Sequence, residues 1–147
     1  MVLPGLLLRG YASGYVKKNL ELTVTGPYAW TRNPLYLGSM LIAFGFAIAA
    51  GRLPLGVLLV ALFLAIYWPT ILSEEAFLRG AFAGFDAYAA AVPRLLPRLT
   101  PARFPDLPGS TAGRFSPERY RHHREYNALM GSAALYAALV LRMLWAG

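Results

Sequence analysis

Two uncharged apolar segments stand almost back to back in this chain. Pro34–Ala50 and Pro54–Ser73 contain no Asp, Glu, Lys or Arg. The first has 17 residues, about 25 Å of helix at 1.5 Å per residue, and the second has 20. A bilayer span needs about 20 apolar residues, so the sequence predicts a pair of membrane helices, the second stronger than the first. Asn33-Pro34 opens the first with a favoured cap residue and a favoured first helical residue. Gly51-Arg52-Leu53-Pro54 reads as a tight turn, and Tyr67 and Trp68 suit a headgroup belt near the end of the second helix. Two spans joined this tightly form a hairpin. The start of the first and the end of the second then lie on one face of the bilayer, which makes Arg32-Asn33 and Glu74-Glu75 neighbours in depth.

The remaining segments fit around that hairpin. Met1 to Leu8 is apolar but too short to span, and reads as a surface segment or the remainder of an upstream helix within residues 1–24. Thr25-Gly26-Pro27 is a turn. Glu74 to Ala91 places Leu78, Phe82, Phe85 and Ala89 at helical spacing among the polar Glu75, Arg79 and Asp86, and predicts an amphipathic interfacial helix over 74–91. Residues 92–116 are rich in Pro and Arg and read as an irregular basic loop. Ser116-Pro117-Glu118 starts a long C-terminal helix over 117–146, polar from Arg119 through His122, His123 and Arg124, then apolar from Tyr126 and long enough to span. The expected fold is all-α and membrane-integral, a single domain over 1–147 with no internal repeat.

Composition agrees with this class. Hydrophobic residues make up 57% and charged residues only 14%, unusual for a soluble domain. Fourteen Lys and Arg face seven Asp and Glu. The excess is not a nucleic-acid signal, because it flanks long uncharged runs. Lys17, Lys18, Arg32, Arg79 and every arginine from Arg94 to Arg124 fall on the Glu74 side of the hairpin, with Arg52 and Arg142 toward the other. The positive-inside rule makes the Glu74 side cytoplasmic. The absence of cysteine excludes disulfides, thiolate catalysis and Cys-ligated zinc. His122 and His123 are adjacent, so on a helix they diverge by about 100° and make a poor metal pair. No metal site is expected.

Two constellations carry chemistry. One is Gly26-Pro27-Tyr28-Ala29-Trp30-Thr31-Arg32-Asn33-Pro34-Leu35-Tyr36-Leu37-Gly38. The other is Glu74-Glu75, followed by Phe82, Phe85 and Tyr88 and by Val92-Pro93-Arg94-Leu95-Leu96-Pro97. Read singly, each piece has a plain structural meaning: Asn33-Pro34 a cap, Arg32 a positive-inside anchor, Glu74-Glu75 first-turn acids, Tyr28, Trp30 and Tyr36 belt aromatics, Gly38 and Gly45 helix packing. Together and in order, across a hairpin, they resemble the membrane methyltransferases typified by isoprenylcysteine carboxyl methyltransferase, a pattern shared with the phospholipid N-methyltransferases. That family runs G-x-Y-x-x-x-R-H-P-x-Y-x-G, an apolar span or two, E-E, an aromatic-rich helix, then V-P-x-x-x-P. The resemblance covers roughly Thr25 to Pro97. Asn33 stands where the family has histidine, which removes any role needing an imidazole proton. The family also carries more helices upstream, so the N-terminal wall of the site is either lacking or supplied by a second copy.

The resemblance implies S-adenosylmethionine as cofactor, methyl transfer to a lipid-like or prenylated acceptor, and contacts from Tyr28, Arg32, Asn33, Pro34, Tyr36, Leu37, Gly38, Glu74 and Glu75. Arg32 and Glu75 are the residues expected at the chemistry. The physics is consistent with this. A helix N-terminus and Arg32 attract a carboxylate. Glu74 or Glu75 complements a sulfonium or ammonium, and Tyr28, Trp30 and Tyr36 offer aromatic surface. Gly38 admits either cofactor or a neighbouring helix. A carboxylate acceptor needs no base, because a cation and an anion become neutral products. An amine acceptor needs one, with Glu75, His122 or His123 as candidates. Two rivals remain: a sterol-reductase-type enzyme using a nicotinamide cofactor, against which the Glu-Glu pair argues, and a non-catalytic membrane scaffold.

Overall fold

A computed structural model describes residues 1–15, 21–107, 115–118 and 126–146. Among these the architecture is helical, without strands. Helix α1 covers Val2–Tyr15, a 3₁₀ turn covers Gly26–Ala29, and α2, α3, α4 and α5 cover Pro34–Ala49, Leu53–Ala81, Phe85–Ala91 and Tyr126–Ala146.

The hairpin forms as its sequence requires. The Leu37 amide bonds the Asn33 carbonyl at 3.0 Å to start α2. The chain turns at Gly51, whose φ of +65° suits glycine, and the Leu55 amide bonds the Arg52 carbonyl at 3.1 Å to start α3. Over Pro54–Ala81 this helix is long and apolar enough to cross a membrane, and Pro34–Ala49 is a shorter apolar helix. Only 17% of the apolar stretch of α3 is buried against the rest of the protein. Leu58, Leu62 and Ile66 point outward.

Of the two readings of the N-terminal segment, the structure has the helical one: Val2–Tyr15 is a regular helix packed along α2. The seam is made of glycines. A Cβ on Gly5 would sit 2.6 Å from the Gly38 carbonyl oxygen, and one on Gly45 would sit 2.6 Å from the Val2 amide nitrogen. Gly38 and Gly45 are two turns apart and so lie on one face of α2. One expectation needs correction: there is no separate interfacial helix over 74–91. Ser73-Glu74-Glu75-Ala76-Phe77-Leu78-Arg79 contains neither Gly nor Pro, so nothing stops α3 at Ser73 and it continues to Ala81. The break comes at Phe82, whose backbone is extended, and α4 is only seven residues long. It ends at Val92, ahead of Pro93, as the residue before a proline prefers. Of the C-terminal helix expected over 117–146, Tyr126–Ala146 is helical. Pro117 and Glu118 are helical, and Arg119, Arg121, His122, His123 and Arg124 lie outside the described residues, as do Lys17 and Lys18.

Beyond the ends of α2 and α3 sits a small second core of Leu22, Val24, Phe85, Tyr88 and Val92, with Phe104 and Leu107 packed against it. It fixes α4 and residues 92–107 over the ends of the hairpin.

Candidate functional site

Gly26, at φ +61°, starts the 3₁₀ turn and lies against the Tyr15 ring. After it the chain runs past Trp30 to Asn33 and pairs with the segment following α4. The Ala102 amide donates to the Ala29 carbonyl, the Arg98 amide to the Trp30 carbonyl, and the Arg32 amide to the Pro93 carbonyl, each at 2.9 Å. Buried Thr31 donates its hydroxyl to the Leu95 carbonyl at 3.0 Å. The Asn33 side-chain amide donates to the Arg94 carbonyl at 3.0 Å. Asn33 occupies the cap position of α2, but its side chain makes no capping bond; it ties the two motifs together instead. Tyr88, almost fully buried, donates its hydroxyl to the Tyr28 carbonyl at 2.8 Å. Burial pushes that hydroxyl well above its ordinary value.

This pairing brings Arg32 and Arg94 onto one carboxylate. Arg94 grips buried Glu75 with two parallel bonds, Nε to Oε1 at 2.9 Å and Nη2 to Oε2 at 2.8 Å. Arg32 Nη1 lies 3.2 Å from Oε1. The face of Trp68 covers the Arg94 guanidinium at 5.2 Å. The hydrogen bonds to Glu75 raise the pKa of Arg94. For Arg32 burial is the larger influence and lowers its pKa, with Glu75 opposing; an arginine so placed still stays charged. One carboxylate between two guanidiniums leaves net positive charge at this point. Arg32 Nε is buried and has no hydrogen-bond partner among the described residues.

One turn of α2 inward the chemistry reverses. Glu74 is exposed and accepts a bond from the Tyr36 hydroxyl at 3.1 Å. Tyr67 lies 5.3 Å from the Tyr36 ring and stacks on Phe63 at 4.5 Å. A cleft of about 490 Å³ runs between these two ends. Of the residues expected from the sequence, Tyr28, Arg32, Asn33, Pro34, Tyr36, Glu74 and Glu75 line it. Leu37 and Gly38 do not: Gly38 packs against α1, which is the helix-contact alternative. Trp30 is not in the lining either. Sequence reasoning missed Arg9, Glu21, Ser39 and Tyr67, which line the cleft. The charge of Arg9 within an apolar helix was the one available signal.

The family model for phospholipid methyltransferase matches residues 9–84, a little over half of the chain. Two relatives are each 36% identical over 90 residues, 61% of this chain and 41% of their own length. One is the nickel-cobalt-cadmium resistance protein NccN of Alcaligenes xylosoxydans xylosoxydans. The other is the cobalt-zinc-cadmium resistance protein CzcN of Cupriavidus metallidurans. The match thus spans about two-fifths of the relatives' length. No solved structure matches significantly.

Proposed function

The chain belongs to the phospholipid methyltransferase family, and from that premise we propose that it is a membrane methyltransferase using S-adenosylmethionine on a lipid-like acceptor. The observation that carries this reading is the convergence of Arg32, Tyr36, Glu74 and Glu75, from both sides of an apolar hairpin, on one cleft. The sparse burial of α3 supports a bilayer around it, since the apolar core helix of a soluble protein would be covered by protein. At about 43 Å, α3 exceeds a hydrocarbon thickness of about 30 Å, and the surplus carries Glu74 and Glu75 out toward the headgroups. The basic balance of that side points it to the cytoplasm.

The residues present fit the cofactor. The orphaned Nε of buried Arg32 suits a carboxylate. Glu74, beside the rings of Tyr36 and Tyr67, suits an ammonium or sulfonium. When bound, the cofactor supplies an electrophilic methyl group. Glu75 is engaged by two guanidiniums, so its part is to hold Arg32 and Arg94 in place, and Glu74 is the acid that meets a cation. An isoprenylcysteine-type carboxylate acceptor needs no base. The family description names a phospholipid; were the acceptor a phospholipid amine, the second acceptor class, a base would have to keep that amine neutral.

Calorimetry on detergent-purified protein tests the reading. S-adenosylmethionine is expected to bind, and Arg32→Ala and Glu74→Gln each to weaken it about tenfold, the effect of losing one charge-assisted hydrogen bond. A well-folded preparation that ignores the cofactor overturns it, and binding of NADPH instead favours a reductase. The names of the relatives favour a second reading, a non-catalytic membrane component of a metal-tolerance system. A fold that binds neither cofactor, while its loss sensitises cells to cobalt or cadmium, supports that one.

A further inference from the structure

We infer that the segment following α4, with Trp30 beside it, is a second membrane contact: Leu96 and Leu99 enter the boundary between headgroups and acyl chains while Arg103 meets the lipid phosphates; this rests on reading α3 as a bilayer span. Leu99 is 96% exposed and Leu96 75%, among the most exposed apolar residues of the protein. A core lies close by, and Phe104 and Leu107 of the same segment pack against its Phe85 and Tyr88. The segment thus reaches a core at both ends and leaves its central leucines outside. Scattered exposed apolar residues need no explanation, but two leucines beside a partly exposed tryptophan form a patch. Trp30 is 38% exposed and stands outside the cleft lining. Its carbonyl accepts the amide of Arg98, which lies between the two leucines.

The depth of the patch follows from its bonds. Trp30 lies shortly before Pro34, where the apolar helix α2 begins, and tryptophan at such a boundary belongs to the headgroup level. The backbone bonds from Arg98 to Trp30 and from Ala102 to Ala29 hold the segment at that level. Its tip is also suited to leaving water. Pro97 and Pro101 carry no amide donor. The Arg98 and Ala102 amides are engaged by residues 30 and 29, and the Arg98 guanidinium donates to the Thr100 carbonyl at 3.2 Å and to the Ala91 carbonyl. Fewer backbone groups are then left to desolvate as the leucines enter the boundary. Arg103, exposed and soon after Leu99, supplies charge of the sign that phosphates attract, and Asp106 is the one acid of residues 92–107. The contact bears on the cleft as well. The Arg32 amide is bonded to the Pro93 carbonyl, so an anchored segment holds the Arg32 end of the cleft at headgroup depth.

The chain has no cysteine, so one introduced cysteine carries a spin label at a single place. Leu99→Cys and, on the outward face of α3, Leu62→Cys are labelled, and the full-length protein is placed in nanodiscs of phosphatidylcholine and phosphatidylglycerol. Depth is read from collisions with oxygen, which concentrates in the bilayer, against those with a nickel chelate, which stays in water. The Leu99 label is expected about 5–10 Å into the headgroup–acyl boundary, and the Leu62 label near the bilayer centre. Arg103→Glu, which sets a carboxylate against the phosphates, is expected to shift the Leu99 label toward water. A water-exposed Leu99 label beside a deep Leu62 label overturns the inference and leaves the bilayer reading of α3 standing. Two water-exposed labels reject that reading, and the inference with it. A Leu99 label shielded from both reagents and spin-coupled to a second label means that another copy of the chain covers the patch, which also overturns the inference. A Leu99 label at the expected depth that Arg103→Glu leaves unmoved strikes out the phosphate contact.

Discussion

Where α1 lies along α2, the two helices meet through Gly5, Gly38 and Gly45, and what holds them is shape: each position has room for hydrogen and none for a methyl group. Past the end of α2, residues 29–33 meet residues 91–102 through directional bonds, three between backbones and others from Thr31 and Asn33. The contrast follows from the surroundings. Among apolar helices close approach brings dispersion contacts that lipid cannot match. At the cleft, every buried donor or acceptor left unpaired costs its desolvation. Substitutions in the first region should therefore act through volume, and those in the second through lost partners.

The harshest test of that contrast is Glu75→Ala. It leaves the Arg32 guanidinium, its side chain only 11% exposed, without its carboxylate and removes both bonds that Arg94 makes to Glu75. Breaking one side of a buried ion pair costs about 3–5 kcal/mol. Thermal or denaturant unfolding in nanodiscs should show a loss of that size together with lost cofactor binding. A change below about 1 kcal/mol would mean that the three groups are solvated and do not organise the site.

Next in size is the volume rule. Gly45→Ala forces a methyl group onto the Val2 backbone and should cost about 1–3 kcal/mol. Gly80→Ala, in the last turn of α3 with nothing within 4 Å, is the control and should stabilise by up to about 1 kcal/mol through helix propensity. Equal effects at the two positions would erase the proposed seam.

The hairpin and the meeting of its two ends were legible because both follow from chain geometry: two apolar runs and a four-residue turn leave Arg32 and Glu75 on one side. The end of α3 was not. Ser73 before two acids has the chemistry of a helix start, and only the lack of any breaker through Arg79 shows that the same residues continue a helix already running. Arg94 stood in the second motif, yet its grip on Glu75 depends on Thr31 and Asn33 holding residues more than sixty positions away, which no local pattern encodes. Arg9 was hidden for a related reason: its place in the cleft depends on the room left by Gly38 of another helix.

The smallest predicted effect has a pH signature that separates it from mere loss of volume. Tyr88→Phe removes the bond to the Tyr28 carbonyl and little else, a cost of about 1 kcal/mol near neutral pH. Burial raises the Tyr88 pKa above its ordinary value of 10.0. The folded state therefore keeps that proton where the unfolded chain releases it. The contribution of Tyr88 is complete below pH 10 and declines as pH rises past that value toward the higher folded one. Stability of the wild type should thus fall more steeply above pH 10 than that of Tyr88→Phe, so that the two curves draw together, as read by denaturant midpoints across an alkaline series. Curves that stay parallel would place the Tyr88 hydroxyl in water and loosen the tie between α4 and the first motif.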